Sequence, residues 1–170
     1  MSNFHLATAP YFVIALPLNF PDLPKTIEVE EETLLLKDEF HVSLVCSEKI
    51  KDKFNVEDSD FIEKLNKDFS EFETEHEIKL TRFRDEYKLV EEENKKAVVC
   101  MCDIENLNEF FDLINKKYNL AIPYPPTHAT MYTLQPNVGI FLTNDEDIAR
   151  LAKPIANPLG KDLNEFICPA

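Results

Sequence analysis

Two tetrapeptides set imidazoles and hydroxyls at a matched spacing: His41-Val42-Ser43-Leu44 and His128-Ala129-Thr130-Met131. Each reads His, apolar, hydroxyl, apolar. An imidazole titrates near neutrality and can take or give a proton. A hydroxyl two residues on can donate a hydrogen bond to an anionic oxygen. One such pair is weak evidence, since short patterns also arise by accident among ordinary half-buried strand residues. Two pairs supply a general base, a general acid and two donors for the charge between them, the parts needed to cleave a phosphodiester. Ser43 as a covalent nucleophile is the other reading, but a duplicated hydroxyl suits a symmetric grip better than a single attacking group.

For these side chains to work together, each tetrapeptide must be a strand. Alternate residues of a strand face opposite ways, so His41 and Ser43 share one face, as do His128 and Thr130. The runs 39–46 and 127–134 have strand character. Around them, strands are expected over 11–16, 33–37, 78–90, 96–102 and 138–142. Residues 91–95 form a hairpin tip, and Pro17, Pro21 and Pro24 break any long helix between them. The run 97–102 lacks alternation and suits a strand covered on both faces. Helices are expected over 47–54, over 58–74 with a stripe of Phe61, Leu65, Phe69 and Phe72, and over 104–117 with Leu107, Phe110, Phe111 and Ile114. Asp103 is positioned to cap the last of these. Thr143 and Glu146 have capping-box spacing for a short helix to about 152. Residues 153–170 read as an irregular tail. The order is strand, strand, helix, strand, then strand, helix, strand, strand, an imperfect duplication with one motif per half.

Candidate substrate contacts are fewer. Tyr132, two beyond Thr130, shares its face if the strand stays regular, and either lines the cleft or packs in the core. Arg82 and Arg84 share a strand face and offer charge to a substrate or to solvent. His5 and His76 stand outside the site.

Composition sets bounds. A chain of 170 residues with 44% hydrophobic content and 13 Phe can bury a core as a single domain over 1–170, built in two lobes. A net charge of −14 argues against wrapping long nucleic acid, whose phosphates need basic surface. It leaves room for a small phosphate ester in a local pocket. The four cysteines read as reduced thiols, and the Cys100-x-Cys102 pair lacks the companions of a zinc site. No signal peptide and no apolar run of membrane-spanning length is recognised, so a cytoplasmic monomer without membrane contact is expected.

The two H-x-[ST]-x motifs, with Pro125-Pro126-Thr127 ahead of the second, resemble those of the 2H phosphoesterase superfamily, which includes the bacterial 2′-5′ RNA ligase-like cyclic phosphodiesterases. The resemblance covers most of the chain. It implies an α+β fold of two pseudo-twofold lobes, two antiparallel sheets backed by helices around a central cleft. It implies His41 and His128 as the acid–base pair and Ser43 and Thr130 as phosphate ligands, with no metal and no cofactor. The substrate implied is a 2′,3′-cyclic phosphate or another small nucleotide or oligonucleotide phosphodiester, cleaved or, in reverse, joined 2′-5′. A non-catalytic nucleotide- or phosphate-binding module on the same fold is the alternative.

Overall fold

The computed structural model describes residues 4–7 and 12–167, with the backbone alone for 5–7. Tyr11 and Cys168 lie outside the described residues. Chain order is β1 (His5–Ala7), β2 (Val13–Leu18), β3 (Thr26–Val29), β4 (Glu32–Leu36), β5 (Phe40–Cys46), α1 (Ser47–Lys53), α2 (Phe61–Glu75), β6 (Lys79–Glu92), β7 (Lys95–Glu105), α3 (Leu107–Tyr118), β8 (His128–Thr133), α4 (Asp145–Leu151) and β9 (Ala152–Ile155). A 3-10 turn at Leu163–Phe166 follows. The protein is α+β, and its strand pairings among the described residues are antiparallel.

The expected pair of sheets is instead one continuous nine-stranded sheet, ordered β1-β2-β5-β8-β7-β6-β9. The motif strands β5 and β8 are the neighbours that join its two halves, in register at Val42 and Ala129. Since β7 occupies one edge of β8, β4 and β5 must share the other. β5 pairs at Ala129, then β4 takes over, with Leu36 opposite Tyr132 and Leu35 opposite Thr133. The sheet therefore forks beside Thr130, where the link 37–39 carries the chain from β4 to β5.

One face of the sheet is covered by the helices. Phe61, Leu65, Phe69 and Phe72 of α2 and Leu107, Phe110, Phe111 and Ile114 of α3 are buried as their spacing predicts. Each such side chain contributes about 1.5–3 kcal/mol when fully buried. Val42, Leu44, Ala129 and Met131 meet this core from the sheet, which leaves His41, Ser43, His128 and Thr130 on the opposite face. There a smaller core joins Val90, Ala97, Val99 and Met101 to Ile140 and Leu142, with α4 packed against it. Residues 97–102 are thus buried on both faces, as their unbroken apolar run predicts.

Four local expectations are corrected. Asp103 does not cap α3: β7 runs on to Glu105, so Asp103 lies within the strand opposite Arg82, and the N-cap is Asn106 in a left-handed conformation. The cap of α4 is Asn144, whose side chain accepts the Asp147 N–H, while Asp147 accepts from both the N–H and the hydroxyl of Thr143. The N-cap is thus one residue later than Thr143 and Glu146 suggest, and Asp147 reaches back to the residue before it. Residues 138–142, expected as a strand, pair with no strand among the described residues and are held instead by Ile140 and Leu142 in the smaller core. The tail is partly regular: β9 extends the sheet beyond β6, with Pro154 tolerated at the edge.

Candidate active site

The four motif side chains line one cavity of about 500 Å³, together with Lys37, Cys46, Glu92, Lys95, Asn137 and the segment 138–142. Two features of the strands shape this arrangement. The first is the register of β5 against β8. With Val42 opposite Ala129 in an antiparallel pair, His41 falls across from Thr130 and Ser43 across from His128. Each imidazole is set against the hydroxyl of the other motif.

The second is a pair of matched bulges. Ile14 of β2 faces Val45 while Ala15 faces Ser43, so Leu44 is an extra residue in β5. Val98 of β7 faces Tyr132 while Val99 faces Thr130, so Met131 is an extra residue in β8. The fourth position of each tetrapeptide is thus the bulged one, and in both strands the two residues after the hydroxyl are buried together.

The bulge at Met131 overturns the expectation for Tyr132. Parity changes there, and Tyr132 turns to the helix-covered face, fully buried, its hydroxyl donating to the Pro24 carbonyl at 2.8 Å. Burial pushes that phenol up to about 12. Tyr132 is a core residue and does not line the cavity. The matching bulge at Leu44 returns Cys46 to the cleft side, a contact that simple alternation misses. Burial lifts its thiol to about 11, so it stays protonated at neutral pH.

Arg82 and Arg84 are also placed elsewhere. Both guanidinium groups converge on Asp103, with Nε to carboxylate distances of 3.2 and 2.7 Å. Neither lines the motif cavity. Arg84 borders a separate cavity with Tyr124 and Asp145.

His128 is held from its own strand entrance. Its Nδ1 lies 2.7 Å from the Pro126 carbonyl oxygen. A carbonyl only accepts, so Nδ1 carries the hydrogen and Nε2 keeps its lone pair in the neutral ring. The Thr127 hydroxyl donates to the Cys102 carbonyl at 2.6 Å, and the Cys102 N–H donates to the Thr127 carbonyl at 3.0 Å. Together with the stiff Pro125-Pro126 approach, these bonds fix how the ring enters the cavity. Burial holds His128 below the ordinary imidazole value; the bond to Pro126 opposes this and the charge of Lys37 adds to it.

The wall opposite the sheet is 138–142. At one end Asn137 bonds Asp38 twice, accepting its N–H at 3.0 Å and donating to its carboxylate at 2.8 Å. At the other, Thr143 is tied to Asp147. Ile140 and Leu142 anchor the middle in the smaller core. Phe141 is 40% exposed at the rim, with the Lys49 ammonium 5.0 Å from its ring centre.

Among the described residues, no group of three or more His, Cys, Asp or Glu could hold a metal ion, and no helix is long and apolar enough to cross a membrane. The three described cysteines are free thiols, with Cys100 and Cys102 buried. Comparison with protein-family models, curated proteins and solved structures finds no match for this chain.

Proposed function

We propose that this chain is a phosphodiesterase of the 2H type. It hydrolyses a 2′,3′-cyclic phosphate or another small nucleotide-derived phosphodiester by paired general acid and base catalysis without a catalytic metal, and the same groups, with a 5′-hydroxyl attacking the cyclic phosphate in place of water and the ribose 3′-oxygen leaving, would join 2′-5′ ends. The observation that carries this reading is the shared cavity: two imidazoles and two hydroxyls from separate parts of the chain line one space.

The chemistry follows from the atoms present. His128, neutral and with Nε2 free to accept, takes a proton from water as the water oxygen bonds to phosphorus. His41, protonated, gives its proton to the departing ribose oxygen as the phosphorus–oxygen bond breaks. Ser43 and Thr130 donate hydrogen bonds to the non-bridging oxygens, where charge builds up in the transition state. The product is a phosphomonoester, and the two imidazoles exchange protonation states in each turnover.

The test is opening of adenosine 2′,3′-cyclic phosphate by the purified protein in EDTA, with the monoester product followed by chromatography. Turnover should survive the chelator and fall about 10²–10⁴-fold in His41→Ala and in His128→Ala. Equal turnover in all three proteins removes this mechanism. Tight nucleotide binding without turnover across cyclic nucleotides, 2′-5′ oligonucleotides and cyclic dinucleotides identifies a binding module instead.

A further inference from the structure

Lys37 is one of the cavity residues that sequence patterns do not single out. It stands at the fork of the sheet, where its backbone N–H donates to the Met131 carbonyl at 3.0 Å and so continues the β4 ladder along β8 beside Thr130. Its side chain is half-buried and lines the motif cavity together with His41, Ser43, His128 and Thr130. It also borders an adjoining groove of about 270 Å³ lined by Asp38, Glu39, His41 and Asn137.

No carboxylate touches Lys37 among the described residues, although the charge of Glu39 reaches it across the adjoining groove. The Asp38 carboxylate accepts from Asn137, and Glu39 is exposed and lines only the adjoining groove. Lys96, a neighbour of the cavity residue Lys95, is paired with Glu32 and Glu91. Lys37 forms no ion pair within 4 Å among the described residues. The cavity lining carries two lysines, Lys37 and Lys95, against one carboxylate, Glu92, in a chain whose net charge is −14. A half-buried ammonium in contact with no carboxylate among the described residues is costly to desolvate, and an anion arriving in the cavity relieves that cost.

Resting on the phosphodiesterase reading, we propose that Lys37 is the anion anchor of this site: a third phosphate ligand beside Ser43 and Thr130, making the cavity selective for phosphate esters and strongest for the monoester product. Hydrolysis turns a singly charged cyclic diester into a doubly charged monoester. A fixed ammonium favours that second charge as it develops, and Ser43 and Thr130, being neutral donors, do so less. Burial holds the Lys37 ammonium below its ordinary value, with the charge of Glu39 opposing this in part, and an anion bound beside it would oppose it further.

The probe is adenosine 2′-monophosphate, titrated by calorimetry into the wild-type chain and into Lys37→Met, Lys37→Arg and Lys95→Met. Met keeps the apolar stem of the side chain and removes only its charge, and thermal melting verifies that each variant folds. Lys37→Met should weaken binding about ten- to hundredfold, the loss of one charge-assisted hydrogen bond. Lys37→Arg should stay within about threefold of wild type, and Lys95→Met should lose clearly less than Lys37→Met. Undiminished affinity in Lys37→Met, an equal loss in Lys95→Met, or no binding by the wild type each overturns the anchor. The two proposals separate cleanly. Loss of monoester binding in Lys37→Met from a wild type that turns over nothing keeps the anchor and removes the enzyme. Full turnover with unchanged binding in Lys37→Met does the reverse.

Discussion

The Nδ1 of His128 lies 2.7 Å from the carbonyl oxygen of Pro126, two residues behind it in the chain. Proline fixes its own φ, so this acceptor is held by covalent geometry as well as by the sheet. The bond sets the tautomer of the ring and leaves Nε2 for the cavity. It is the reason to place the base at position 128 and the acid at 41.

The pH profile should reflect that assignment. As base, His128 must be neutral, and its folded value is depressed by burial, then further by Lys37. The acid limb of kcat/KM should therefore fall below the ordinary imidazole value of about 6.5. In Lys37→Met the limb should move upward toward that value. A limb at or above the ordinary value in the wild type, or one unmoved by Lys37→Met, contradicts the assignment.

Stability should depend on pH through the same ring. The folded value of His128 is depressed, so between it and the ordinary value the unfolded chain binds more protons than the folded one. Stability is retained above about pH 6.5 and is lost as pH falls through that window toward the folded value. Urea unfolding of the wild type and of His128→Asn, which keeps a donor toward Pro126, should show this part of the slope in the first and not in the second.

The hydroxyls should act as a matched pair. Ser43→Ala and Thr130→Val each remove a donor on the cavity face while keeping a strand-compatible side chain. Each should lower kcat by about 10²-fold, with melting temperature nearly unchanged. Complete loss in Ser43→Ala beside little effect in Thr130→Val would instead favour a nucleophilic serine, and a trapped phosphoserine in mass spectra would decide it.

Arg82, Arg84 and Tyr132 should separate fold from function in the opposite sense. Arg84→Ala breaks a partly exposed pair with Asp103 and should cost roughly 1 kcal/mol or less. Tyr132→Phe leaves the Pro24 carbonyl without its donor and should cost about 1–3 kcal/mol. Chemical denaturation measures both. Neither change should alter kcat or KM by more than a few-fold, and a selective rise in KM would return that residue to the substrate.

Much of this arrangement is legible from residue order. The helix stripes, the doubly buried strand and the two motif strands all follow from periodicity, since burial on one or both faces leaves a direct imprint on composition. What is not legible is long-range or arises from a change of period. That β5 and β8 are neighbours depends on pairing across the whole chain. Lys37 gains its position from the fork between β4 and β5, which no local pattern marks. Tyr132 and Cys46 are misplaced by counting in twos because Leu44 and Met131 each insert one residue. The stretch 138–142 has strand composition, but its apolar residues Ile140 and Leu142 are buried in the smaller core without a ladder, and it lies across the cavity as a wall.

The two bulges have a wider consequence for what a short strand can deliver. A regular strand must commit each face to one purpose along its whole length. An extra residue at Leu44 and at Met131 lets β5 and β8 change purpose midway: the first and third residues of each motif present polar chemistry to the cavity, and the two residues after the hydroxyl both give their bulk to the core. Reactive groups and the packing that holds them are thereby separated by a single peptide unit. Were β8 regular through Met131, alternation would turn the ring of Tyr132 into the cavity beside Thr130, so the spacing of these strands is as much a part of the site as the side chains they carry.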